Sequence, residues 1–230
     1  MSEVKRIWDA GAELYDEIYA NNVLYHRAHE AMVDLLPRRE PLRVLDLGAG
    51  TGLLAERVLQ EVPSSSVTCL EFSAQMAAQA RKRLARFSSR ISLVCADMND
   101  WSGDGSFDAV VSCNALVYKE LDLPAIYSRY GGMLRRGGLL LNATVVLAEQ
   151  DDLAERVATE LAPEDAARYS SAVNAFTSGV GAKLSHLGQG SLVSLLSIDD
   201  HVALLERAGL VAGCPWRFLT QAVVAGLRAE

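Results

Sequence analysis

The sequence predicts an α/β protein built on a doubly wound, mostly parallel seven-stranded sheet. Five short runs rich in β-forming residues, 43–47, 67–71, 91–95, 107–112 and 139–146, are each separated from the next by a segment that often has helical periodicity. That alternation is the pattern of parallel strands joined by crossover helices. A glycine cluster, Gly48-Ala49-Gly50-Thr51-Gly52, ends the first run and opens the first crossover, where sheets of this kind receive ligands. Two further β-rich runs, 211–216 and 218–226, follow late in the sequence and are expected to form a hairpin at the sheet edge.

The elements follow in order. Val4, Ile7, Trp8, Gly11, Tyr15, Ile18 and Tyr19 recur at spacings of three and four, one stripe of an amphipathic helix that Asn21 and Asn22 end. A second helix over 23–36 stops before Pro37, and the charged linker 38–41 leads into the first strand. Helices are expected over 53–62, over 73–87 with Ser73 as N-cap, and over 123–134 before an Arg135-Arg136-Gly137-Gly138 turn. Residues 149–196 are too many for a simple connection and carry helical patterns at 153–161 and 163–176, so a helical lid is expected after strand five. Ser197-Ile198-Asp199-Asp200 resembles a capping box with Asp in place of Glu and opens a helix that ends at Gly209. The expected organisation is one domain over 1–230, with an N-terminal helical cap (1–40), a ligand-binding core (41–148), the lid (149–196) and a closing helix and strands (197–230).

Composition narrows the function. A chain of 230 residues that is 50% hydrophobic and 22% charged can bury a full core and is not disordered throughout. The longest apolar run, 139–148, is interrupted by Asn142 and Thr144 and falls short of the ~18–20 residues of a membrane span. Residues 1–6 do not start the continuous apolar segment of a secretory signal, so the cytoplasm is the expected location. Cys69, Cys95, Cys113 and Cys214 lie far apart without a C-x-x-C and read as reduced residues. A net charge of −7 matches a polyphosphate poorly, which disfavours a nucleic-acid partner and leaves a small molecule as the expected one.

The glycine loop narrows it further. Its pattern is G-x-G-x-G, with Leu53 where the third glycine of a dinucleotide fingerprint would fall. Asp46, two residues before Gly48, is a poor neighbour for pyrophosphate and a better one for a ligand bearing an ammonium and a sulfonium. Glu71 ends the second strand 23 positions after Gly48, near the ~20 expected of an acid that accepts from ribose hydroxyls. Asp97 follows the third strand, where a carboxylate can accept from an adenine amino group, and Phe72 and Met76 can cover the base. Asn114 follows the fourth strand, so one ligand could touch all of these strand ends.

In these residues the chain resembles the class I S-adenosylmethionine-dependent methyltransferase family. Asp46 to Gly52 is similar to its first motif, Glu71 to its ribose acid, Asp97-Met98 to its adenine contact, Phe107-Asp108-Ala109-Val110-Val111 to its fourth strand, and 134–138 to its turn before strand five. The resemblance implies the Rossmann-like methyltransferase fold of the small-molecule type, with S-adenosyl-L-methionine as cofactor. It also implies that Gly48, Ala49 and Gly50 receive the methionine part, that Glu71 holds the ribose, and that Asp97 with Met98 frames the adenine. Residues 12–16, with Tyr15, look like the N-terminal helix that closes over the cofactor in many members.

A sulfonium methyl is already activated, so alignment and exclusion of water are the main work. A carboxylate acceptor needs no base, whereas a phenol or a protonated amine would benefit from one. Many members place a His after strand four; here Val117-Tyr118 stands there. The catalytic candidates are therefore His26, His29 and Tyr118, with transfer to an oxygen or nitrogen of a small molecule. No metal is expected, because the loops after strands four and five read Ser112-Cys113-Asn114 and Asn142-Ala143-Thr144 where a metal-dependent branch carries acids. A nicotinamide-dependent oxidoreductase, an RNA or protein methyltransferase on the same fold, and a module that binds the cofactor without turnover stand as alternatives.

Overall fold

A computed structural model describes residues 2–19, 22–103, 105–146, 161–178 and 192–229. Helix α1 (Glu3–Tyr19) buries Val4, Ile7 and Ala12 along the apolar stripe. Asn22 does more than end a helix: its side chain accepts from the Tyr25 N–H at 3.1 Å and caps α2 (Val23–Leu35).

The sheet then assembles from β1 (Leu42–Leu47), β2 (Ser65–Glu71), β3 (Ile91–Cys95), β4 (Phe107–Cys113), β5 (Leu134–Val145), β6 (Val211–Phe218) and β7 (Gln221–Leu227). Seven strands lie in the order β3-β2-β1-β4-β5-β7-β6. The first five are parallel, and β7 runs antiparallel between β5 and β6. Strand alternation sorts the core into two layers. Leu42 and Val44 face a cluster shared with α2, α3 (Leu53–Glu61) and α4 (Ala74–Arg83). Leu45 and Leu47 face a second cluster with α5 (Leu123–Gly132) and α7 (Ile198–Arg207). The order reverses at β1, whose neighbours are β2 and β4, so the ends of β1 and β4 open a crevice there.

Several boundaries differ from the sequence expectation for physical reasons. The helix expected over 73–87 ends at Leu84 and continues as a 3-10 segment, Ala85–Arg90. Arg90 reaches back to the carbonyls of Leu59, Pro63 and Ser65 and pulls the chain out of the α-helical path. The turn expected at 135–138 is an irregularity inside β5: Leu134 already pairs with Phe107, and pairing resumes at Leu139 with Ala109. Phe218 belongs to β6, and the hairpin turns at Leu219-Thr220, where Leu219 has φ 51° and no turn-forming residue marks the spot. Between β3 and β4 the described residues contain no helix; Trp101 stacks on Tyr130 of α5, with ring centroids 6.3 Å apart, over that part of the sheet.

The described part of the lid region is α6 (Pro163–Ser178), which packs against α1 and α2. The helix expected over 153–161 lies outside the described residues except for Leu161, which is buried with Leu24 and Leu219. Ser197 and Asp200 form the expected capping box at the start of α7.

At the amino end of the strands, Asp108 is 1% exposed. It accepts from the Arg43 N–H at 2.8 Å and from Arg135 Nη1 at 3.2 Å, and Arg39 Nη1 lies 3.8 Å away. This carboxylate ties β1, β4 and β5 together at the end opposite the glycine loop. No described helix is long and apolar enough to cross a membrane.

Candidate functional site

The glycine loop turns on backbone that L side chains rarely adopt, with φ 68° at Gly48 and 56° at Gly50. The N–H groups of Gly48 and Ala49 donate to the Leu70 carbonyl at 2.9 and 3.1 Å, which fixes the loop against the end of β2. A Cβ on Gly48 would lie 2.4 Å from the Ala115 Cβ, so the loop after β1 and the loop after β4 touch here. Glu71 is buried, and its carboxylate accepts from the Gly50 N–H at 2.9 Å and the Ser73 N–H at 2.8 Å. Burial raises its pKa above the ordinary glutamate value, and those two amides pull it back.

These loops and α1 enclose a cavity of about 70 Å³. Of the residues singled out in the sequence, Tyr15, Gly48, Gly50, Glu71, Phe72, Met76, Asp97, Met98, Asn114 and Tyr118 lie on its wall. Asp46 and Ala49 sit behind it. Asp46 is 2% exposed with Oδ2 unpartnered, and burial, then Glu71, raises its pKa to about 7. Asn114 has φ 54° and a buried Oδ1 without a partner. The Tyr118 pKa is pushed up by burial first, and its hydroxyl accepts from Trp8 Nε1 at 3.0 Å.

His26 and His29 are not brought to this wall. α2 turns His29 into the core, 2% exposed, with its ring 4.2 Å from that of Tyr25. Burial, then His26 and Arg57, lowers its pKa to about 3 from 6.5, and Nε2 has no partner. The unfolded chain therefore binds a proton below pH 6.5 that the folded chain refuses down to about pH 3. Stability is expected to fall by about 1.4 kcal/mol per pH unit across that window as pH drops. His29→Phe should flatten this slope in denaturant titrations run between pH 6.5 and 4, and an unchanged slope would refute the assignment.

The cavity wall also holds Trp8, from the aromatic stripe of α1, and residues the sequence reading did not assign to a site, chiefly Val4 and Leu121. α1 is seated over the cavity by polar ties. Asp9 accepts from Ser73 Oγ at 2.6 Å, and Asp16 accepts from Thr51 Oγ1 at 2.7 Å and from Arg83 Nη2 at 2.5 Å. Tyr15 and Tyr25 share a hydroxyl contact of 3.2 Å. The signal for Trp8 was the aromatic surplus of the α1 stripe; the Asp9 and Asp16 ties join residues far apart in sequence and left none. Among the described residues no cluster of His, Cys, Asp and Glu is arranged to hold a metal.

The sequence profile of a methyltransferase domain matches residues 44–138, the segment from β1 through the glycine loop to β5. Residues 44–138 carry a methyltransferase domain. The cofactor that the sequence resemblance implies is S-adenosyl-L-methionine. The malonyl-[acyl-carrier protein] O-methyltransferase of Geobacter sulfurreducens is 38% identical over 112 residues, 48% of this chain and 41% of that protein. The trans-aconitate 2-methyltransferase of Mycolicibacterium gilvum is 36% identical over 107 residues, 45% and 39% of the two chains. This chain thus spans less than half the length of either relative. The same fold occurs in a DhpI–SAH complex, with a TM-score of 0.64 and 18% identity over 98% of this chain and 95% of that one.

The residues of this methyltransferase domain fit the cofactor. Among the described residues the wall carries no lysine or arginine, and its three carboxylates, Glu71, Asp97 and Glu120, suit hydroxyl and amino donors better than a pyrophosphate. The unpartnered Asn114 Oδ1 suits an ammonium donor.

Proposed function

We propose that the chain transfers the methyl group of S-adenosylmethionine to a carboxylate oxygen of a small acyl acceptor. The observation that carries this is the cavity wall, which among the described residues offers no imidazole, the side chain suited to taking a proton from a neutral acceptor near pH 7. The phenols of Tyr15 and Tyr118 have pKa values raised by burial, and the three carboxylates already accept hydrogen bonds, Glu71 from two amides, Asp97 from the Asn99 N–H and Glu120 from Ser2 Oγ. A carboxylate brings its own lone pair, so the chain has no proton to remove.

When bound, the cofactor supplies a methyl group activated by sulfonium. In this reading Gly48 and Gly50 receive the methionine part, with Asn114 Oδ1 accepting from its ammonium. Glu71 accepts from the ribose, and Asp97, Met98, Phe72 and Met76 surround the adenine. Tyr118 keeps its proton and donates it as a hydrogen bond to the acceptor, while Trp8 holds its oxygen. Relatives named for methylating a malonyl group and trans-aconitate, both carboxylic acids, support the same acceptor chemistry.

The test is transfer from S-adenosylmethionine labelled in the methyl group to malonyl-N-acetylcysteamine, trans-aconitate, a catechol and a primary amine. Label is expected in an acid and is expected to be released as methanol by mild alkali, as a methyl ester requires. Label only in alkali-stable products would overturn the carboxylate reading.

A further inference from the structure

Beside the cofactor cavity lies a second concavity, a groove of about 420 Å³, within the roughly 300–1,000 Å³ of sites that enclose small ligands. The two share Tyr118 and Leu121 as a common wall. The strip carrying Tyr118 is held in place by the returning chain: Lys119 N–H donates to the Leu192 carbonyl at 3.0 Å, and Ser194 N–H donates to that of Val117 at 2.7 Å. The floor is apolar, with Leu196 and Leu204. Two cations stand on the lining, Lys119 on the strip and Arg207 on α7, both exposed. Arg207 lies near enough to Asp200, in the same groove, to help lower the pKa of that carboxyl, after the hydrogen bonds from Ser197. The single acid of the groove, Asp200, is engaged by Ser197, whose Oγ lies 2.7 Å and whose N–H lies 3.1 Å from Asp200 Oδ2. The groove thus offers an apolar channel with two cations against one carboxylate, beside a cofactor cavity whose own wall is acidic.

We propose that this groove holds the far end of the methyl acceptor, an apolar chain ended by a phosphate or a carboxylate, while the near end passes Tyr118 into the cofactor cavity. The proposal rests on the methyl-transfer reading and adds to it where the acceptor lies and what its remote end must carry. The remote anion is drawn to Lys119 and Arg207, and the chain covers Leu196 and Leu204. An acceptor without that anion loses the attraction and keeps only the apolar contact.

The test uses three probes of similar length, octyl phosphate, nonanoate and octanol, titrated into the protein with and without saturating S-adenosylhomocysteine and read by leucine methyl resonances. One or both anions are expected to bind about tenfold tighter than octanol, on the scale of a charge-assisted contact, and to shift Leu196 and Leu204. The preferred anion identifies the terminal group. The variant K119Q/R207Q should erase the preference without changing S-adenosylhomocysteine affinity; both residues are exposed, so the fold is not at stake. Equal binding of anions and octanol, a preference that survives the double variant, or shifts confined to other leucines would overturn the groove assignment. Failure of S-adenosylhomocysteine to bind, with the anions still seated in the groove, would overturn the methyl-transfer reading instead.

Discussion

Replacing Gly48 by valine is expected to abolish binding of S-adenosylhomocysteine in calorimetry. Even alanine at this position puts a Cβ 2.4 Å from that of Ala115, and φ is 68°, so the side chain meets a steric wall and a strained backbone together. Relief requires the loops after β1 and β4 to separate, and both line the cavity. A loss of more than about 100-fold for Gly48→Ala follows, from overpacking plus left-handed strain. Gly50 contrasts with it. A Cβ there would meet Tyr15 only at 3.9 Å, an ordinary contact, so the strain of φ 56° remains as the main cost. Gly50→Ala is therefore expected to lose only about tenfold. Circular dichroism and thermal melts separate misfolding from lost binding, and the double variant G48A/A115G, which removes the opposing methyl, should recover part of the affinity. Affinity of Gly48→Ala within a few fold of wild type, or no recovery in the double variant, would refute the contact.

The second large effect is expected from removing α1. The cavity it closes, about 70 Å³, is well under the roughly 300 Å³ at the lower end of ligand pockets. Binding is therefore expected to lift α1 and reseat it around the ligand. Deleting residues 1–20 should leave a folded sheet, because the strands and α3, α5 and α7 form the core without it. Transfer is expected to fall by at least about 100-fold, since alignment and exclusion of water are lost. The dissociation constant for S-adenosylhomocysteine should rise with a faster off-rate. Asp9→Ala with Asp16→Ala, which cuts the ties to Ser73, Thr51 and Arg83, should shift the same quantities in the same direction by less. Hydrogen exchange decides the matter: protection of the Gly48 loop by S-adenosylhomocysteine with no change over residues 3–19 would sink the closure account.

How much of this was written in the sequence depends on the range of the interaction. β1 and the glycine loop were legible because strand periodicity and glycine spacing are local signals, and Ser73 and the Ser197 box because a cap is read over three residues. The break in the helix at Leu84 was not, since Arg90 reaches carbonyls some 25 to 31 positions away. The irregularity in β5 and the turn at Leu219 escaped for a similar reason: pairing with β4 and β7 holds residues in place that carry no turn signature of their own. In the site, residues on strand ends could be placed from the chain alone. His26 and His29 could not, because helical spacing says that two side chains share a side and not which neighbour they meet. The Trp8–Tyr118 contact spans 110 positions, and nothing local announces it.

The buried carboxylate of Asp108 has a consequence for how the sheet can respond to a ligand. With Arg43, Arg135 and Arg39 gathered on it, the amino ends of β1, β4 and β5 are bound like the spine of a book, and their relative register is held there. Opening of the glycine loop and the loop after β4 at the other end must then occur as a fanning of pages, a small rotation about the spine, rather than as a slip of one strand past another. Such a binding separates two kinds of substitution. Substitutions in loops at the free margin are expected to leave the strand register unchanged, and loss of the Asp108 carboxylate is expected to loosen it.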